Sequence, residues 1–187
     1  IATNHVMPEN ILDFTTLPPL LDKAVVKLAW ADANRTFQMT RAVTTPTRKA
    51  AEYLQHMTTI TDVHAISCGL DASNYTADLT PRASNRILFV GRLTREKQID
   101  LMLRAVTKLD PALAVTVEIV GGGDQRKHLE HLAHELGLGD RVTFHGRVEE
   151  DELRRIYSRA SVFAMPSVAE FQSIATMEAM ASGVQIV

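Results

Sequence analysis

Cys68 is the only cysteine in the chain, which rules out an internal disulfide and fits a reducing compartment, so a cytoplasmic location is expected. No apolar run approaches the roughly 20 residues a membrane-spanning helix needs. Nothing at the start reads as a signal peptide, and any membrane contact is expected to be peripheral. Excess charge is missing too: 20 basic side chains against 22 acidic ones give a formal −2, leaving no global field to recruit nucleic acid. Low-complexity tracts and internal repeats are absent.

Several catalytic fingerprints are missing as well. Gly121, Gly122 and Gly123 follow an apolar run, but the dinucleotide fingerprint G-x-G-x-x-G needs glycine where Arg126 stands. Neither G-x-x-x-x-G-K-[ST] nor G-x-S-x-G occurs, which argues against P-loop hydrolysis and the usual α/β-hydrolase. "HLEHLAHE" gathers His128, His131 and His134 with Glu135, yet the spacing is not H-E-x-x-H and the histidines flank an ordinary apolar stripe. A solvated helix face is the expected reading, and no metal site is assigned.

What is present is apolar: 45% of 187 residues, enough for one large or two modest cores. From residue 85 onward a short apolar run, a turn and an amphipathic stretch repeat. "RILFVG" reads as a buried strand, and Ile99, Met102, Leu103, Val106 and Leu109 follow at helical spacing. "AVTVEIVGGG", "RVTFHG" and "SVFAMP" repeat the strand; a helix carrying Leu129, Leu132, Ala133 and Leu136 and stopping at Gly137, then "EEDELRRIYSRA" and "SIATMEAMASG", repeat the helix. Such alternation predicts βα units around a parallel sheet, with ligands at the carboxyl ends of its strands. The first 84 residues are less regular: a strand end at "IATNH", a helix over 18–30, strand and helix in "RAVTTPTRKAAEYLQHM", and a strand in "DVHAISCGLD". The polar stretch 70–84 is expected as a linker, dividing the chain into 1–84 and 85–187. Because the chain opens without methionine and stops at "GVQIV", where a strand has begun, it is expected to be the middle of a longer protein.

Two places carry charge in a useful pattern. In "VGRLTREK", Arg92 follows a strand and Lys97 opens the next helix, a pair able to clamp a diphosphate through charge-assisted bonds, although surface charge is the commoner reading of basic residues after strands. In "SVAEFQSIATMEAMASG", Ser173 is placed to start a helix whose first amides and dipole favour an anion. Glu178, in the second turn, can accept bonds from vicinal hydroxyls such as a ribose diol, and Glu170, in the preceding loop, can reach another hydroxylated ring. Read without context, both glutamates serve equally well as solvent-facing charges.

"VGRLTREK", "EIVGGG", "RVTFHGRV" and above all "EFQSIATMEAMASG" resemble the retaining glycosyltransferases of the GT-B family, of the family 4 or group 1 type that includes sucrose synthases and bacterial phosphatidylinositol mannosyltransferases. "TNHVMPEN", "RAVTTPTRKAAEYL" and "ISCGLD" are similar to that family's acceptor-side segments. The chain departs from the commonest pattern at Cys68, where Asn is usual, and at Gln98, where Gly often follows the lysine. It also has Phe171-Gln172-Ser173 for Gly-Phe-Gly and Gln185 for Pro.

The resemblance implies an α/β fold of two Rossmann-like domains, part of the acceptor domain and most of the donor domain, and transfer of a hexose from a UDP- or GDP-sugar to a hydroxyl. It puts Arg92 and Lys97 on the donor diphosphate, Glu178 on the ribose, Glu170 on the transferred sugar, and the amides around Gln172, Ser173 and Ile174 on phosphate and sugar. Arg147 and Val148 come to lie beside the base, and His5 near the transferred sugar, though a lone histidine after a strand also serves to cap a turn. No metal or other cofactor is implied. "QSIATMEAMASG" is similar to members that glycosylate lipids, which favours a lipid acceptor. Residues 20–30 are then available for membrane contact through Lys23, Lys27, Leu20, Leu21, Val25 and Leu28, with packing into the acceptor domain's own core as the expected reading. A nucleotide-sugar epimerase and a non-catalytic nucleotide-sugar-binding module remain as alternatives.

Overall fold

The computed structural model describes residues 1–5, 7–8, 19–80, 85–168 and 170–187. The chain divides into two compact units, Ile1–Gly69 with Ala169–Gln172, and Leu70–Val168 with Ser173–Val187.

The first unit holds strands β1 (Ala2–Thr3), β2 (Val43–Thr45) and β3 (Val63–Ala65), paired in parallel in that order, with helices α1 (Pro19–Gln38) and α2 (Arg48–Met57) as crossovers. α2 begins where Thr47 accepts the Ala50 amide on its side chain at 3.2 Å, which satisfies one of the donors a helix start leaves open. Among the described residues the buried core cluster is Trp30, Val43 and Leu54, with Tyr53 meeting Trp30 edge-on at 5.8 Å. The expectation for 18–30 needs correcting on two points. α1 runs on to Gln38, and the face it buries carries Val26, Trp30, Ala33 and Phe37. Leu21 and Leu28 are instead exposed, and the Leu20 side chain lies outside the described residues.

The second unit is a five-stranded parallel sheet: β4 (Arg86–Val90), β5 (Thr116–Val120), β6 (Val142–Gly146), β7 (Val162–Phe163) and β8 (Gln185–Ile186), in the order β6-β5-β4-β7-β8. Helices α3 (Ile99–Val106) and α4 (Arg126–Glu135) share one hydrophobic cluster with Phe89, Val117 and Ile119. Leu88, Val120 and Phe163 join the other with α5 (Glu150–Arg159) and α6 (Ile174–Ala181). Neighbouring residues of a strand thus bury opposite faces, so both faces need apolar side chains and the strands read as unbroken apolar runs. Each fully buried Leu, Ile or Phe contributes about 1.5–3 kcal/mol relative to exposure. Leu109, counted by spacing with the first helix, lies beyond α3 and is exposed.

Glu118 breaks the apolar pattern of β5. It is 8% exposed, and Arg86 (3.3 Å) and Arg159 (3.1 Å) bracket its carboxylate, with His145 Nε2 at 3.7 Å. A buried carboxylate survives only with such partners.

The stretch 70–80, expected as linker, belongs to the second unit. Tyr75 meets Tyr157 edge-on at 6.3 Å, and a Cβ on Gly183 would come within 2.6 Å of the Asp78 carbonyl oxygen. The Ala169–Gln172 segment goes with the first unit, a division no composition change announced.

Candidate functional site

Strands β5 and β6 extend to one side of β4, and β7 and β8 to the other, so the order of the sheet reverses between β4 and β7. Crossovers leave such a point open at the carboxyl ends of the two strands, and ligands of doubly wound sheets bind there. The loops leaving it are 91–98, after β4, and 164–173, after β7.

The first loop is fastened to the glycine run that looked like a failed fingerprint. Gly91 N donates to Val120 O and Leu93 N to Gly122 O, each at 3.0 Å, and Gln125 N returns to Leu93 O at 3.0 Å. A Cβ on Gly121 would collide with the Gly91 carbonyl oxygen, and one on Gly123 with the Leu93 backbone. These glycines permit two main chains to touch. The loop then forms a 3₁₀ turn, Arg95–Lys97, and Gln98 takes a left-handed conformation (φ 46°) before α3.

Glu96, which sequence reasoning passed over, joins the two loops. Its carbonyl accepts the Val168 amide at 3.0 Å and the Ser167 hydroxyl at 3.2 Å; its carboxylate takes the Thr94 hydroxyl at 2.7 Å and lies 3.8 Å from Arg92. Arg92 is exposed beside it, and Lys97 is half-buried in the same turn. Arg92 and Lys97 therefore sit, together with Arg95, on a braced loop at the switch point, with Arg92 and Arg95 exposed.

Ser173 caps α6: its hydroxyl accepts the Thr176 amide at 3.1 Å and the Thr176 hydroxyl at 2.8 Å. Ile174 is exposed at the first turn. Glu178 is half-buried and held from both sides, its Oε1 accepting Tyr75 Oη at 2.9 Å and its Oε2 accepting Tyr157 Oη at 2.8 Å; Tyr157 Oη also lies 3.1 Å from the Ala175 carbonyl. Burial first, and then the Glu178 carboxylate, raise the Tyr75 phenol to about 12. The same two causes push Tyr157 further up. Both tyrosines therefore remain hydrogen-bond donors at neutral pH. Neither stood out in the sequence, although Tyr75 is the sole aromatic of the polar stretch 70–84.

After β6, Gly146 turns with φ 72°, Arg147 is exposed and Val148 packs against the α5–α6 cluster. The remaining candidates fall in the first unit. His5 is exposed after β1, with Nδ1 4.0 Å from Cys68 Sγ, and Glu170 is exposed. Gln172 spends its side chain locally: Oε1 accepts the Cys68 amide at 2.9 Å and Nε2 donates to Ser67 Oγ at 2.7 Å. The structure thus groups Arg92, Lys97, Arg147, Val148, Ser173, Ile174 and Glu178 in one unit, and His5, Glu170 and Gln172 in the other. His128, His131 and His134 are exposed on α4, where His131 pairs with Glu135 at 3.2 Å. A cavity of about 240 Å³ lies between the starts of α3 and α4, lined by Arg95, Asp100, Gln125 and His128 among others, and none of the residues expected at the donor site or near the transferred sugar lines it. Among the described residues no helix is long and apolar enough to cross a membrane.

Together, a parallel sheet whose strand order reverses and helices on both of its faces define an α/β protein of the doubly wound type. The chain belongs to the glycosyl transferases group 1 family, whose model matches residues 77–187. An uncharacterized glycosyltransferase of Methanocaldococcus jannaschii is 43% identical over 101 residues, covering 54% of this chain and 26% of that protein. The D-inositol 3-phosphate glycosyltransferase of Xylanimonas cellulosilytica is 31% identical over 167 residues, 78% of this chain and 40% of that protein. The chain therefore spans between a quarter and two fifths of the length of these curated relatives. Among solved structures, sucrose-phosphate synthase from Thermosynechococcus elongatus superposes with a TM-score of 0.80 at 23% identity, covering 98% of this chain and 48% of that one. Anabaena HepE in complex with UDP-glucose gives 0.76 at 20% identity, covering 98% and 51%. The fold is GT-B, two Rossmann-like domains, of which this chain covers part.

Proposed function

We propose that the chain carries the donor site, and part of the acceptor side, of a retaining glycosyltransferase that moves a hexose from a UDP- or GDP-sugar to an acceptor hydroxyl. The observation that supports this most is the pair of switch-point loops tied together through Glu96, presenting Arg92 and Lys97 on one and the capped start of α6 on the other. Breaking the anomeric C–O bond leaves negative charge growing on the departing diphosphate. Two cations and a helix start fixed beforehand stabilise that charge without reorganising, an effect worth several kcal/mol in a closed site. In this reading those groups supply the positive charge, and no divalent metal is invoked. Amides at Gln172, Ser173 and Ile174 meet phosphate and sugar; Glu178 accepts the ribose hydroxyls; Arg147 and Val148 flank the base; Glu170 and His5 serve the transferred sugar. No side chain is assigned as a nucleophile.

For the acceptor we retain a lipid, with work in the cytoplasm at the inner membrane face and contact through Lys23, Lys27 and the exposed Leu21 and Leu28 of α1. The inositol phosphate in the relative's name makes a soluble polyol the competitor to test beside it.

Calorimetry with UDP, GDP and their common sugar conjugates tests the donor site, with Arg92→Ala and Glu178→Ala alongside. One base is expected to bind selectively and to lose about tenfold or more in each variant. Equal binding by all three proteins removes the donor-site assignment. Product analysis in a longer chain with lipid and polyol acceptors then separates transfer from epimerisation.

A further inference from the structure

We propose that Tyr75 and Tyr157 are positioning residues that hold the Glu178 carboxylate ready for the vicinal hydroxyls of the donor's ribose, an inference that rests on the donor-site reading above. A carboxylate offers about four acceptor positions on its two oxygens. One on each is taken, by Tyr75 Oη at 2.9 Å and by Tyr157 Oη at 2.8 Å, which leaves one on each for the two donors of a diol.

The anchors come from different parts of the unit, the 70–80 segment and α5, so the group is fixed in rotation as well as in place. Each ring is itself immobilised. Tyr157 is fully buried and packs against Phe163 at 6.1 Å, and Tyr75 stands edge-on to Tyr157. A glutamate already confined to one rotamer loses less entropy when a ligand arrives. The choice of tyrosine matters chemically. An arginine in either place would neutralise the carboxylate, whereas a phenol orients it and leaves the negative charge to strengthen bonds from the ribose.

The alternative is that the tyrosines only pin the 70–80 segment to α6. Titrating the chain with UDP and GDP, and with their 2′,3′-dideoxy counterparts, separates the two roles. In the better-binding series, Tyr75→Phe and Tyr157→Phe are expected to weaken the parent nucleotide about five- to tenfold and to leave the dideoxy analogue within about twofold. Equal weakening of both nucleotides, or of neither, overturns the positioning role. Tyr75→Phe alone carries the test if Tyr157→Phe does not fold. Failure of the underlying reading looks different: the wild-type chain would bind no nucleotide, or Glu178→Ala would bind parent and dideoxy forms as the wild type does.

Discussion

Gln98 adopts a backbone conformation that suits glycine, and it does so directly after the lysine of the loop after β4. A left-handed non-glycine residue costs roughly 1–2 kcal/mol, part of which glycine gives back through its freer unfolded chain. Gln98→Gly is therefore expected to stabilise the protein by about 0.5–1 kcal/mol, read as a higher urea midpoint with an unchanged slope. A lower midpoint would mean that contacts of the glutamine side chain outweigh its backbone strain. At such single positions the sequence was informative where the chemistry is local. Arg92 and Lys97 stand at the end of an apolar run and are found by counting. The partners of Glu178 were not legible, because Tyr157 and Tyr75 lie 21 and 103 residues away in the chain and meet it only in the folded unit. Glu118 was hidden for a related reason: a strand buried on both faces shows no alternation for a charge to violate, and its arginines come from other elements.

The glycine run and the loop after β4 form one piece of structure, and its tolerance to change is uneven. Ala at 121 or 123 would press a methyl into the main chain of residues 91–93, and at 121 it would also have to hold φ at 128°; at 122 nothing stands in the way. Overpacking and backbone strain each cost about 1–3 kcal/mol. Gly121→Ala and Gly123→Ala are expected to lose about 2–4 kcal/mol and Gly122→Ala less than about 0.5, measured by chemical denaturation of the three variants. Similar losses at all three would show that the close approach is not what the run provides. The elements of the second unit were legible in the sequence because each buried run ends at a turn or a glycine and a polar residue stands directly before each helix. The exception is instructive. Residues 70–80 have the composition of a linker, but one aromatic ring and one main-chain approach to Gly183 dock them on the second unit, and composition averages both away.

The two units differ in how much apolar surface holds them. Among the described residues, the buried cluster of the first is Trp30, Val43 and Leu54, whereas the sheet of the second is buried on both faces by four helices. Amide hydrogen exchange on the native chain should therefore be slowest in Arg86–Val90 and Thr116–Val120, and faster by orders of magnitude in β1, β2 and β3. Protection as strong in the short strands as in the long ones would contradict this ranking. The same asymmetry explains why the sequence was clearer in its second half. A regular, doubly covered sheet imposes a regular pattern of residues, and a three-stranded one with a small core does not.

The solitary thiol has a practical use. Cys68 is exposed, and its sulfur lies 4.0 Å from the His5 ring. A maleimide fluorophore would attach to the unmutated chain at one site only, one label per molecule by mass. Its emission would then report on the surroundings of His5 as nucleotides and acceptors are added, with no engineered cysteine and no background labelling.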